Sequence, residues 1–326
     1  MPRALPPVSA PEASPPEVLV LDLPILSGDD TMAHAPRIAA FADPWPGAIG
    51  VALGTPATGF LPRQVLERTA TMGELLTDLP AGPHWRWDRG STAEIRLYGG
   101  ALAAEPELSV LNGANVAAIG SATAGWEVVQ FQTATLIAPR TWRIGTLLRG
   151  QAATGDIAAL GHAAGARFVL LNAATPRLTI SPEEAGLALT ARCGPAGASY
   201  DPDRFVDVPV PKGRRGLKCF PPVRAQAIWN SAGDVAIQWI RQARWGGDSW
   251  EGVEVPLAEA TESYRLDLLD GETVVHSDTT NVPFVTLSAA LLSGLFGEPP
   301  DELHARIMQI SPTEGPGLAT EATFHV

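Results

Sequence analysis

The last hundred residues of the chain constrain its fold most, because they alternate. In Asp234-Val235-Ala236-Ile237-Gln238-Trp239-Ile240, the residues Val235, Ile237 and Trp239 share one parity and Asp234, Ala236 and Gln238 the other. Successive side chains on a strand point to opposite faces, so this segment presents one apolar and one polar face. Tyr264-Arg265-Leu266-Asp267-Leu268 alternates in the same way and leads to Asp270-Gly271, a tight hairpin signal. Leu303-His304-Ala305-Arg306-Ile307-Met308-Gln309-Ile310 alternates again, ahead of a glycine-rich turn and a last strand over residues 319–326. With the proline-bounded opening Phe220-Pro221-Pro222-Val223, the pattern predicts a small β-sandwich with Trp239 in its core.

Turn residues dominate elsewhere too. The 326 residues include 32 Gly and 30 Pro, and only 18% are charged, against roughly 25% in ordinary soluble domains. Many short strands fit this better than long helices, so the fold class expected is mostly β: one or more N-terminal β-rich domains followed by the sandwich. The length suits at least two domains. Lys and Arg number 23 against 35 Asp and Glu, and 23 − 35 = −12 repels phosphate backbones and anionic headgroups, which argues against nucleic-acid specificity. No apolar run approaches the roughly 18 residues of a membrane span. Residues 1–17 lack the apolar core of a secretory signal, and the six prolines before Glu17 predict an extended leader or linker.

From residue 18 the chain reads as a succession of strands, over 18–23, 48–53, 94–100, 114–120, 127–136, 141–148 and 162–171, the last with a turn before it, and a helix left open for 71–76. Asp43-Pro44-Trp45-Pro46-Gly47 reads as a stiff corner with an aromatic anchor. Between Gly197 and Lys218 prolines and the basic run Lys212-Gly213-Arg214-Arg215 coincide, which places a boundary near Leu217. The expected organisation is a leader over 1–17, a β-rich region over 18–217 that admits a division into two subdomains near 140, and the sandwich over 218–326.

Catalytic patterns are weak. Gly247-Asp248-Ser249 matches one hydrolase signature superficially, but a nucleophile elbow needs a following helix, and Glu251-Gly252-Val253-Glu254-Val255-Pro256 cannot supply one. The six histidines, His34, His84, His162, His276, His304 and His325, show no i, i+2 or i, i+4 pairing for a metal. Asp201, Asp203 and Asp207 fail the calcium-loop pattern at its fifth and sixth positions. Asp29-Asp30 and Glu183-Glu184 read as solvated acids, and no catalytic, cofactor-binding or metal site is assigned. Cys193 and Cys219 read as free, partly buried thiols, with a disulfide between them left open. Nine tryptophans exceed the needs of a core. Trp85 and Trp87, on one face of a strand, and Trp245 and Trp250, beside a glycine turn, could stack on sugar rings or a partner; packing is the plainer role.

The strand order of the C-terminal segment resembles a fibronectin type III domain, a fold used for spacing and adhesion. Five segments carry a second resemblance: Asp43-Pro44-Trp45-Pro46-Gly47, Gly82-Pro83-His84-Trp85-Arg86-Trp87-Asp88, Leu147-Leu148-Arg149-Gly150-Gln151, His162-Ala163-Ala164-Gly165-Ala166-Arg167-Phe168-Val169-Leu170-Leu171 and Gly247-Asp248-Ser249-Trp250. In this order they resemble the C-terminal part of the baseplate hub, or tail tip, protein of gene transfer agents and related long-tailed phages, from about Val18 to Val326. The full-length hub also carries a hub region and a TIM-barrel-like domain, which these residues do not match. The resemblance implies a non-enzymatic virion component at the tail tip, made in the bacterial cytoplasm. It also implies a homotrimer, other tail-tip proteins as partners, and a host-surface glycan or receptor as target. It carries over no catalytic residue and no cofactor. The rival reading from the residues is a carbohydrate-binding module or carbohydrate-active enzyme; a third is an adhesin unrelated to phage.

Overall fold

The computed structural model describes residues 14–26, 32–84, 86–247, 254–297 and 300–325. Strands dominate it, as the turn-rich composition predicts. The chain divides into two compact units, Met1–Leu23 with Met32–Gly216, and Pro24–Thr31 with Leu217–Val326. No helix among the described residues is long and apolar enough to cross a membrane.

The first unit begins with β1 (Glu17–Leu21) and β2 (Arg37–Phe41), an antiparallel pair. Strand β1 starts at the last residue of the expected leader. Next come β3 (Ile49–Thr55) and β4 (Gly59–Leu66). The chain then leaves this layer to build β5 (Met72–Leu75), β6 (Asp88–Leu97), the short helix α1 (Glu107–Leu111), β7 (Val116–Ser121), β8 (Gly125–Ala138), β9 (Thr141–Gln151), α2 (Gly155–Ala158) and β10 (Arg167–Leu170). It returns with β11 (Thr190–Pro195) and β12 (Val206–Pro209). Strand order is β12-β11-β3-β4 in the four-stranded sheet, and β10-β5-β6-β9-β8-β7 in a closed barrel. The barrel is thus an insertion between two halves of the sheet. Closure by β7 against β10 gives every barrel strand two neighbours and removes the free sheet edges.

Two expectations change here. Within 71–76 the chain forms strand β5 rather than a helix, because β5 is paired on both sides and Leu75 packs into the barrel core. Residue 140 lies in the turn of the β8–β9 hairpin, inside the barrel, so no subdomain division falls there. Each part of this unit has its own core. Val18, Ile38, Ile49, Val51, Leu53 and Ala191 bury beside the sheet, with Trp45 packed against them. Ile95, Ile119, Val129, Phe131, Ile144 and Phe168 fill the barrel.

The second unit contains β13 (Val223–Trp229), β14 (Val235–Ile240), β15 (Tyr264–Asp270), β16 (Thr273–Thr280), β17 (Phe284–Leu287), α3 (Ala289–Phe296), β18 (Glu302–Ser311) and β19 (Gly315–His325). Its sheets are β13-β14-β17 and β16-β15-β18-β19, all antiparallel. The first, second and fifth strands facing the other four is the arrangement of a fibronectin type III-like sandwich. Val235, Ile237 and Trp239 all point inward, as their parity predicts. Trp239 meets Tyr264 edge-on at 5.3 Å between centroids. Gly271 supplies the φ of +60° that the β15–β16 turn needs. Helix α3 is not foreseen from the alternation; the Ser288 side chain caps it by accepting from the Leu291 N–H at 3.2 Å, and Gly297 ends it.

Candidate functional site

Three of the five segments quoted above meet at one end of the barrel, where β5, β7 and β9 finish and β6, β8 and β10 begin. The register creates the site. Val128 pairs with Gln151 and Gln130 with Leu148, so β9 carries one residue more than β8 across this step. That is a β-bulge at Arg149-Gly150, with Gly150 at φ +61°, and bulges re-aim side chains. A Cβ on Gly150 would come within 2.9 Å of the Gly155 Cα, so glycine is required for space as well as conformation. The ladder break at Val128 is repaired by the Thr154 hydroxyl, which accepts from its N–H at 2.9 Å.

The bulge directs Arg149 to Glu127, and both side chains are 0% exposed. Arg149 donates through Nε to Glu127 Oε1 at 2.7 Å and through Nη2 to Oε2 at 2.9 Å, a bidentate pair. Glu127 Oε1 also accepts from the Gly150 N–H at 2.9 Å, and Oε2 lies 2.8 Å from His162 Nε2. Burial pushes the Glu127 carboxyl up, but hydrogen bonds from His162 and Arg149 outweigh it and hold the group below its ordinary range. The cluster fastens the loop ahead of β6. Arg149 Nη1 donates to the Pro80 carbonyl at 3.0 Å, and Leu79 and His162 exchange backbone hydrogen bonds of 2.8 and 2.7 Å. A Cβ on Gly82 would sit 2.6 Å from Arg149 Nη1. Asp88 turns the loop into β6 by accepting from the Gly90 and Ser91 N–H groups, with Oδ2 3.9 Å from Arg149 Nη1.

This arrangement holds a loop in place and leaves the carboxylate no room for a substrate. Both Glu127 oxygens are engaged and neither side chain of the pair reaches solvent. Sequence reasoning missed Glu127; the signal available was a lone acid between Trp126 and Val128-Val129, matched by a lone base after Leu147-Leu148.

The other candidates are placed as follows. His84-Arg86-Trp87 belongs to the loop and not to a strand, since β6 begins at Asp88 where Asp88 caps the turn; Trp87 is half-buried with the Arg89 guanidinium 5.9 Å from its ring. Trp85, Asp248, Ser249, Trp250, Asp29 and Asp30 lie outside the described residues. Trp245 is 39% exposed, with Arg244 5.5 Å from its ring. His34, His84 and His162 belong to the first unit and His276, His304 and His325 to the second. Among the described residues no group of three or more ligands could hold a metal ion. Asp207 is gripped by Arg192 at 2.8 and 2.7 Å while Asp201 caps the Asp203 N–H, so these aspartates do not converge. Arg192 is itself stacked between Phe60 and Tyr200, 3.7 and 3.9 Å from the ring centroids. Glu184 closes a capping box with Ser181 and pairs with Arg63. Cys193 and Cys219 are free thiols in different units, and burial pushes each up to about 12.

A family model described as Rcc01698-like, C-terminal, matches residues 70–169, which are the barrel almost residue for residue. No curated protein matches the chain. Among solved structures, the rat CD45 extracellular region, domains d3-d4, is similar at 7% identity and a TM-score of 0.25, over 48% of this chain and 72% of that one. The chicken CNTN1 FN1-FN3 domains are similar at 9% identity and a TM-score of 0.22, over 97% and 100%.

Proposed function

We propose that the chain is a non-enzymatic structural component of a phage-like tail tip or baseplate, of the kind found in gene transfer agents and long-tailed phages, serving tip assembly and attachment to the host surface. The observation that carries this reading is the barrel. Segments quoted for the tail-tip resemblance converge on its Glu127–Arg149 cluster, and the family match spans the same residues. The cluster's chemistry agrees with a scaffold: it orders a loop and offers no free acid or base. The sandwich suits a spacer or adhesion module.

The chain would work as a homotrimer among other tail-tip proteins. Ile228, Ile240 and Phe284 share the outer face of the β13-β14-β17 sheet by register, and each is more than half exposed, as expected of a chain that works inside an assembly. Electron microscopy of particles carrying an affinity-labelled chain tests the reading. Label at the tail tip is the expected result; particles of normal composition that never contain the chain would overturn it.

A further inference from the structure

At one end of the sandwich, the loop between β14 and β15 and the turn between β18 and β19 enclose an open pocket of about 470 Å³. That volume falls within the roughly 300–1,000 Å³ of small-ligand sites. Trp245, Leu257 and Pro312 give it apolar walls, and Arg244, Glu259 and Thr313 the polar ones. We propose that this pocket binds a neutral saccharide, with the partly exposed Trp245 ring as the platform on which the sugar stacks. The proposal rests on the attachment half of the function proposed above and names its ligand class.

The pocket's chemistry selects among ligands. Arg244 and Glu259 are mutually neutralised by an ion pair of 2.5 Å, with side chains 9% and 6% exposed. Glu259 also accepts from Ser311 Oγ at 2.7 Å and from the Cys219 thiol at 3.3 Å, so no net charge is left to attract an ion. The chain's net charge of −12 further disfavours an anion. A sugar ring has one apolar C–H face for an indole and a perimeter of hydroxyls for groups such as Thr313, which an aliphatic ligand could not use.

Hydrogen bonds hold the described part of the loop. Arg244 Nη2 donates to the Ala258 carbonyl at 2.9 Å, and Arg241 donates to the Pro256 and Val255 carbonyls at 2.8 and 2.6 Å. Two guanidinium groups thus fasten the stretch of loop that returns toward β15. Gly246, at φ +70° and with a Cβ position only 3.0 Å from Pro256 Cγ, completes the turn beside Trp245.

The test is NMR titration of the full chain with the methyl glycosides of glucose, galactose and N-acetylglucosamine, and with glucuronate as a charged control. Saturable binding of at least one neutral glycoside is expected. Trp245→Ala should weaken it by about tenfold or more and Trp245→Tyr by much less, with both variants melting as the parent does. No neutral glycoside bound at about 50 mM, binding of glucuronate alone, or an unaltered titration for Trp245→Ala would each overturn the proposal. Particle incorporation of the same variants is scored separately. Trp245-dependent sugar binding by a chain absent from particles keeps this site and removes the tail-tip role, whereas incorporation without sugar binding does the reverse.

Discussion

The barrel and the sandwich each contain an arginine–glutamate pair, and the two pairs sit on opposite kinds of structure. In the barrel, Glu127 and Arg149 project from neighbouring strands into a sealed interior and hold a loop down onto it. In the sandwich, the strands bury a largely apolar face, and Arg244 and Glu259 lie in a loop where their pair forms part of the wall of an open pocket. A strand-borne pair with no exposure is part of the folding of its unit. A loop-borne pair at a pocket is separable from the core beneath it, and can change with limited effect on the fold.

The largest expected effect breaks the barrel pair. Glu127→Gln leaves the buried Arg149 charge with only the Asp88 carboxylate, 3.9 Å away, and removing the bidentate partner of such a pair costs about 3–5 kcal/mol. Urea denaturation should register that loss. Replacing both residues with apolar ones, as Glu127→Leu with Arg149→Met, should cost less than either single change, because the two fully buried charges leave together and Asp88 keeps its hydrogen bonds from the Gly90 and Ser91 N–H groups. A double variant weaker than both singles would mean that the cluster's main contribution is the loop attachment at Pro80.

Acid should also separate the two regions. Glu127 is held below its ordinary value of 4.5 and Asp88 below 3.8, in each case because hydrogen bonds, with Arg149 nearby, outweigh the upward push of burial. A carboxyl depressed in the folded state contributes stability that is present above its unfolded value and is lost as pH falls through the folded one. The barrel should therefore weaken progressively below about pH 4.5, and in Glu127→Gln that acid dependence should shrink. Thermal melts between pH 7 and pH 3, taken at about 0.15 M salt to suppress surface terms, measure the difference.

How much of this was legible in the sequence depended on range. The sandwich core could be read because Val235, Ile237 and Trp239 declare their face within a few residues, and Asp270-Gly271 declares its turn locally. The barrel could be read only as a series of strands. Its closure rests on β7 meeting β10, some 50 residues away, and apolar strands buried within a closed sheet carry no mark of their neighbours. Trp87 alternates with charged residues as a strand residue would, yet it lies in the loop one residue before β6 begins at Asp88. Glu127 is hard to read for a related reason. An acid inside an apolar strand is informative only once its partner is known, and the bulge that turns Arg149 toward it depends on Gly150 having a positive φ, which no alternation pattern reveals.

The smallest effect concerns the loop-borne pair, and it is the sharpest check on the contrast. Glu259→Gln keeps the side chain's shape and one acceptor for Arg244, Ser311 and Cys219 while removing the charge. Hydrogen bonds to charged groups contribute about 1.5–3 kcal/mol, so the loss should stay within that range and below that of Glu127→Gln. The core beneath, with Trp239 against Tyr264, is untouched, so near-ultraviolet circular dichroism of the folded state should match the parent. The pocket should respond more than the fold, because Arg244 loses the partner that neutralises it and gains attraction for anions. Weak binding of glucuronate by Glu259→Gln, absent in the parent, is therefore expected in the same NMR titration. A stability loss as large as that of Glu127→Gln would show that the loop-borne pair is as integral to its unit as the strand-borne one.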